Sequence, residues 1–231
     1  MTSTIQKPLP VPQVPVADED KPLFASINAF VHQYMSNYDN SHDYQHILRV
    51  LSNTNRIFKS EQFSNPQTTY DTTALFLAAL LHDVGDHKYA KPGEDIENQI
   101  ATTLLQHGAS EVLAEKVQTI VKHVSYTHEV KNPTAVASVL SRYPELGIVQ
   151  DADRLDAIGA VGIARCFSFG AAKMPDQPMS RAVEHFEEKL YKLRDMMKTT
   201  GGRSMAQRRH EIMEEFEMYW AAEVELSFQM Q

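Results

Sequence analysis

The sequence predicts an all-α fold in one domain, and three observations carry that expectation. Apolar residues recur at three- and four-residue intervals along most of the chain. No stretch alternates apolar and polar residues as a half-buried strand would, and no internal repeat is present. At 231 residues with 42% hydrophobic side chains, the chain can fill one sizeable core without a disulfide or structural metal.

The elements follow in order. Residues 1–22, "MTSTIQKPLPVPQVPVADEDKP", hold five prolines and little periodic apolar pattern, which predicts a flexible tail ahead of a domain spanning 23–231. In "LFASINAFVHQYM", Leu23, Ile27, Phe30, Val31 and Tyr34 mark one helix face. Asp39, Asn40 and Ser41 are candidate caps for the next helix, whose apolar stripe runs through Ile47, Val50, Leu51, Thr54, Ile57 and Phe58. Residues 71–84 are apolar on all sides and therefore predict a central helix. Two more helices follow, split at Gly108 and the second capped by Ser110. Residues 146–170 are mostly apolar, and roughly 180–229 read as two long charged helices broken at "TTGGRS", which could pair two copies of the chain as a homodimer.

Composition removes some function classes. A formal net charge of -8 argues against broad binding to nucleic acid or anionic membrane. A single cysteine excludes an internal disulfide and fits a reducing compartment. No apolar run approaches the roughly 20 residues of a membrane span, and the start lacks a secretory pattern, so the expected location is the cytoplasm.

The informative feature is charge inside apolar helices. "ALFLAALL" ends in His82-Asp83, and the apolar 146–170 segment holds Asp151, Asp153, Arg154, Asp156 and Arg165. His46 falls at the edge of its helix's apolar stripe, four residues after His42. A buried carboxylate costs several kcal/mol or more unless paired or metal-bound. Convergence of His46, His82, Asp83 and Asp153 on one divalent cation would offset that cost in all three segments. His82 and Asp83 project about 100° apart on a helix, so both could reach one ion only from a helix end or shared edge. Two imidazoles and two carboxylates suit Mn²⁺ first, then Co²⁺, Fe²⁺ or Mg²⁺, and leave positions open for water and substrate. Alone, His46 would read as a satisfied boundary histidine and Asp153 as one half of a buried salt bridge with Arg154 or Arg165.

The order His46, His82-Asp83, Asp153 in "DADRLDAIGA" resembles the H…HD…D signature of HD-domain metal-dependent phosphohydrolases. "SHDYQHILRV", "LLHDVGDHKY", "VQDADRLDAIGAVGIARCF" and "EKLYKLRDMMKTTGGRSMAQRRHEIMEEF" together are similar to a bacterial and fungal branch of HD pyrophosphohydrolase-like proteins, from about residue 23 to 229. The resemblance implies His46 rather than His42 and Asp153 rather than Asp151 as ligands, with His42 and Asp151 supporting a ligand or a bound water. It further implies hydrolysis of a small phosphorylated substrate. That substrate is first a nucleoside triphosphate cleaved to monophosphate and pyrophosphate, with nucleotidase or cyclic phosphodiesterase chemistry or a non-catalytic metal-stabilised module as rivals. Asp86, one turn beyond the ligand pair, is the candidate for orienting or deprotonating water. Lys88, His123 and Arg154 are candidates for holding the substrate, and Arg49 for tying helices together.

Overall fold

We describe the protein from a computed structural model, which covers residues 9–36, 38–39, 42–85 and 98–229. Among these residues every regular element is helical, as the periodicity predicts. α1 (Lys21–Met35), α2 (Tyr44–Ser64) and α3 (Thr72–Leu81) are followed by α4 (Gln99–Gln106) and α5 (Glu111–Lys122). Two short helices come next, α6 (Tyr126–Lys131) and α7 (Pro133–Arg142), ahead of α8 (Glu145–Asp156) and α9 (Gly159–Lys173). After α10 (Ser180–His185) the chain makes a π-helical turn over Phe186–Leu190, then α11 (Lys192–Asp195) and the long α12 (Thr200–Glu223).

The all-apolar α3 is central: every residue from Thr73 to Leu81 is buried, and α1, α2, α5 and α8 pack around it. A helix without a polar face has no side to give to water, so it becomes the axis on which amphipathic neighbours lay their stripes. α8 lies against α2 and α3, and α12 closes the back over α2, α8 and α9. No described helix is by itself long and apolar enough to cross a membrane.

Local capping differs from expectation at one place. α2 is capped by Asp43, whose carboxylate accepts from the His46 N–H at 3.0 Å, and not by Asp39; Asn40 and Ser41 lie outside the described residues. Asp71 and Ser110 cap α3 and α5 in the same way, at 2.9 and 3.3 Å.

The expected tail is shorter than 22 residues. Residues 9–17 are irregular but lie against the helices, with Val16 buried, Val11 and Val14 partly so, and the Asn28 side-chain amide reaching the Pro10 carbonyl. Alternating valines among the prolines supply an apolar edge that the helical template does not register. α1 then starts at Lys21 with Pro22 in its first turn, where the missing N–H costs nothing.

The "TTGGRS" break is also relocated. The chain turns before Thr199, which caps α12 by accepting from the Gly202 N–H at 2.9 Å, and both glycines sit inside the first helical turn. They permit close approach. A Cβ on Gly201 would meet the Ser60 Cβ at 2.8 Å, and one on Gly202 would meet Asp151 Oδ2 at 2.3 Å. Asp151 uses that space to accept from the N–H groups of Lys198 and Thr199 and from the Thr199 hydroxyl. It therefore anchors α12 and does not support a metal ligand, contrary to expectation. Gly202→Ala should cost about 1–3 kcal/mol through overpacking, read as a thermal midpoint several degrees lower; an unchanged midpoint would show that the Asp151 anchor contributes little.

Candidate metal centre

His46, in the first turn of α2, His82 at the end of α3, and Asp83 in the turn beyond it converge: their ligand-capable atoms all lie within 4.8 Å of one another. The helix stops where it must for both members of the dipeptide to face one point, and Gly85, at φ 79°, adopts a conformation that glycine takes freely. Asp153, from the last turns of α8, brings Oδ1 to 3.6 Å from His46 Nε2 and 3.7 Å from His82 Nε2. Thus all four residues expected to share an ion are brought together.

The tautomers follow from the partners of the other ring nitrogens. His46 Nδ1 faces Asp156 Oδ2 at 2.7 Å and His82 Nδ1 faces the Ala79 carbonyl at 2.9 Å. Both oxygens only accept, so each Nδ1 donates and each Nε2 turns its lone pair to the centre when the ring is neutral. The two Nε2 atoms are 3.1 Å apart, and Asp83 Oδ2 lies 3.1 Å from that of His46. Asp83 Oδ2 is shut off from solvent, with no well-aligned hydrogen bond from the described residues. Acceptors have been gathered without a donor among them, an arrangement that a divalent cation satisfies.

The electrostatics agree. Burial alone would raise the Asp83 carboxyl, but the charge of His82, then His46 and His42, outweighs it and holds the group well below the ordinary carboxylate range. Burial, then Arg165, opposes a charged His46; its contacts with Asp156 and Asp83 prevail and lift the imidazole above its ordinary value. Both shifts mark a site that draws positive charge, for which a proton and a metal compete.

Asp156 is the supporting residue that sequence reasoning did not single out. Nearly fully buried, it accepts from His46 Nδ1, from Arg49 Nε at 2.8 Å and Nη2 at 3.0 Å, and it pairs with Arg165 at 3.2 Å. Burial would raise its carboxyl, but His46, Arg49 and Arg165 hold it far below the ordinary range. Its signal in the sequence was its position three residues after Asp153, on the same helix face. Arg49 ties α2 to α8 through it, the helix-tying role expected.

Two of the expected substrate-binding residues lie elsewhere. Arg154 is buried on the far side of α8, where it donates to Glu129 and to the Met196 carbonyl. Consecutive helical residues cannot share a face, so placing Asp153 at the centre sends Arg154 away from it. His123 ends α5, donates from Nδ1 to the Thr119 carbonyl at 2.7 Å and stacks edge-on against His128, outside the cavity wall. Asp86 and Lys88 lie outside the described residues.

Glu129 accepts from Lys198 as well as Arg154 and Gln150, linking α6 to α8 and the approach to α12. Burial works against its charge, but the hydrogen bonds from Lys198 and Arg154 prevail and hold its pKa below the ordinary 4.5. A depressed folded-state pKa contributes stability that is present above the unfolded value and lost as pH falls through the folded one. Wild-type stability should therefore fall below about pH 4.5 more steeply than that of Glu129→Gln in denaturant titrations; parallel curves would exclude the linkage.

A cavity of about 300 Å³ opens over the four residues, and its wall includes His42, Lys122, Tyr126, Arg165 and Lys189. Lys189 comes from the π-helical turn and lies 5.1 Å over the Tyr126 ring. Such turns often occur at functional sites because they re-aim a side chain. Cations from α5, α9 and the π-helical turn thus line the approach to an acidic, histidine-bearing centre.

The sequence matches the HD domain model over residues 43–158, about half of the chain, which contain all four converging residues. The chain belongs to the HD domain family. HD-superfamily hydrolases are metal-dependent phosphohydrolases. Bacillus subtilis YpgQ is 32% identical over 194 residues, covering 82% of this chain and 88% of YpgQ. The crystal structure of YpgQ in complex with ADP superposes with a TM-score of 0.64 at 30% identity, over 86% of this chain and 93% of that one. An HD-superfamily hydrolase from Bacillus thuringiensis gives a TM-score of 0.61 at 30% identity, over 86% and 94%. The HD domain of this chain therefore has close structural counterparts in bacterial proteins along most of its length.

Proposed function

We propose that the protein is a nucleotide phosphohydrolase that cleaves nucleoside triphosphates to monophosphate and pyrophosphate, with His46, His82, Asp83 and Asp153 holding one divalent ion, Mn²⁺ by preference. The observation that carries the proposal is the pair of Nδ1-anchored imidazoles facing two carboxylates with no donor between them. Such an ion supplies Lewis acidity, acidifying water and polarising a phosphoryl oxygen. The ADP complex of YpgQ supports a nucleotide as the ligand class.

The chain's own residues supply the rest. Asp156 fixes the His46 ring, and the Ala79 carbonyl fixes that of His82, so the ligand geometry exists before substrate arrives. Lys122, Arg165 and Lys189 on the cavity wall meet the phosphate charge and stabilise its growth in the transition state. In the proposed reaction Asp86 orients or deprotonates the water and Lys88 contributes a further cation.

The test is a product assay on metal-stripped protein with ribo- and deoxynucleoside mono-, di- and triphosphates, adding Mn²⁺, Co²⁺, Mg²⁺ or none. Monophosphate and pyrophosphate, formed only with metal, are expected. Nucleoside and phosphate would move the function to a nucleotidase. No product, with metal still raising thermal stability, would favour a binding module.

A further inference from the structure

Three cavities run together along one face of the protein. The one over the metal centre shares His42, Ala157, Arg165 and Lys189 with a smaller cavity of about 140 Å³. That cavity in turn shares Cys166, Phe169 and His185 with a third, of about 720 Å³. The third lies against the C-terminal half of α9, the 174–179 loop and α10, walled mainly by Phe167, Phe169, Met174, Pro175, Pro178 and Met179. Rings mark the route between its ends: His46 meets His42 edge-on at 6.1 Å, and His42 meets Phe169 edge-on at 6.0 Å.

Phe169 and its neighbour Phe167 have different surroundings. Phe167 packs on Phe216 and Trp220 and joins the apolar core. Phe169 is half-buried, lies outside that core and faces both cavities. Gly170, beside it on the wall, has nothing within 4 Å of where a Cβ would stand. Arg181 and His185 on the wall are both committed to Glu188, Arg181 donating to it at 2.7 Å and His185 facing the same carboxylate at 3.3 Å.

We propose that this channel holds the nucleoside of the substrate, with the phosphates at the acidic centre among Lys122, Arg165 and Lys189 and the planar base in the apolar cavity against Phe169. The inference rests on the nucleotide reading above and extends it to where the base lies and how it is read. A wall of aromatic, thioether and proline surface recognises a flat apolar face, which every base presents, and offers few directed hydrogen bonds to a base edge. The site is accordingly tolerant of base identity. Its selectivity is for a phosphate chain that carries a planar group, over the bare chain.

The experiment compares dATP, dCTP and inorganic tripolyphosphate on the Mn²⁺-loaded wild type, Phe169→Ala and Gly170→Leu. Phe169→Ala removes the stacking face and Gly170→Leu fills the cavity without meeting the fold. KM for dATP and dCTP should agree within about threefold in the wild type and rise about tenfold in each variant, the scale of a lost base–aromatic stack. Turnover at saturation and the KM for tripolyphosphate should not change. Unchanged nucleotide KM in both variants, or an equal rise for tripolyphosphate, would overturn the proposal.

A second readout needs no turnover. Cys166, the only cysteine, lines the channel, so its alkylation by iodoacetamide should slow with dATP and not with tripolyphosphate. If no substrate is hydrolysed, the reaction assignment fails while this protection still decides the channel: protection by dATP alone supports it, and equal rates overturn it. Alkylation that quickens on dilution of the ligand-free protein would instead assign the groove to a second copy of the chain, and would also overturn it.

Discussion

Asp83→Asn should lower kcat/KM by at least about 10³-fold, because it removes a charge from the ion that carries several kcal/mol of transition-state stabilisation. The substitution conserves shape, which makes the stability readout diagnostic. In metal-free protein the Asp83 carboxylate is held by its attraction to His82 and His46, with Oδ2 closed to solvent and 3.1 Å from His46 Nε2. Asparagine gives up that attraction, so the metal-free thermal midpoint should fall. What should vanish is the stabilisation by metal. At a hundred times its dissociation constant, an ion adds about 2.7 kcal/mol, or roughly 5–10 °C in a domain of this size. Melting curves with and without Mn²⁺ separate this from a purely structural carboxylate, whose loss would lower both curves by the same amount. Equal lowering would sink the metal-centre reading.

The three converging segments were legible because each put a charge or imidazole on a helix surface that otherwise faces the core, while the resemblance to the HD family selected His46 over His42 and Asp153 over Asp151. The end of α3 was not legible: the apolar run predicts a helix over 71–84, and it stops at Leu81, which lets His82 and Asp83 face one point. What escaped the sequence depends on contacts between distant segments. Asp156 is set apart from Asp153 by Arg49 and Arg165, brought to it from α2 and α9. Arg154 was misplaced because adjacency in sequence is not adjacency on a helix; it turns to Glu129, on a helix of six residues too short to show a period. The glycines of "TTGGRS" read as a turn, and their actual demand, room for Ser60 and Asp151, is invisible without the partner helices. The cavity cations Lys122 and Lys189 come from elements whose charged faces look like ordinary solvated ones.

Asp156→Asn should be the most destabilising single change near the centre, and the contrast with Asp153→Asn gives the test. Both residues lie on α8 one turn apart, yet the Asp153 side chain is 30% exposed and that of Asp156 is 2% exposed. Breaking a buried charge network from one side costs about 3–5 kcal/mol, because the partners left behind stay desolvated. Here those partners are Arg49 and Arg165, and asparagine can accept from one of them or from His46 but cannot balance their charge. The metal-free midpoint should fall by on the order of 10 °C. Metal affinity should fall about 10–100-fold in addition, since the His46 ring loses the acceptor that fixes its tautomer. Asp153→Asn should leave the metal-free midpoint within a degree or two of wild type, as a partly solvated carboxylate allows, while abolishing turnover as Asp83→Asn does. Melting both variants without metal and titrating each with Mn²⁺ makes the comparison. Similar midpoints for the two would mean that Asp156 is no more than a weakly coupled neighbour of the centre, and that the rigidity of His46 comes from helix packing alone.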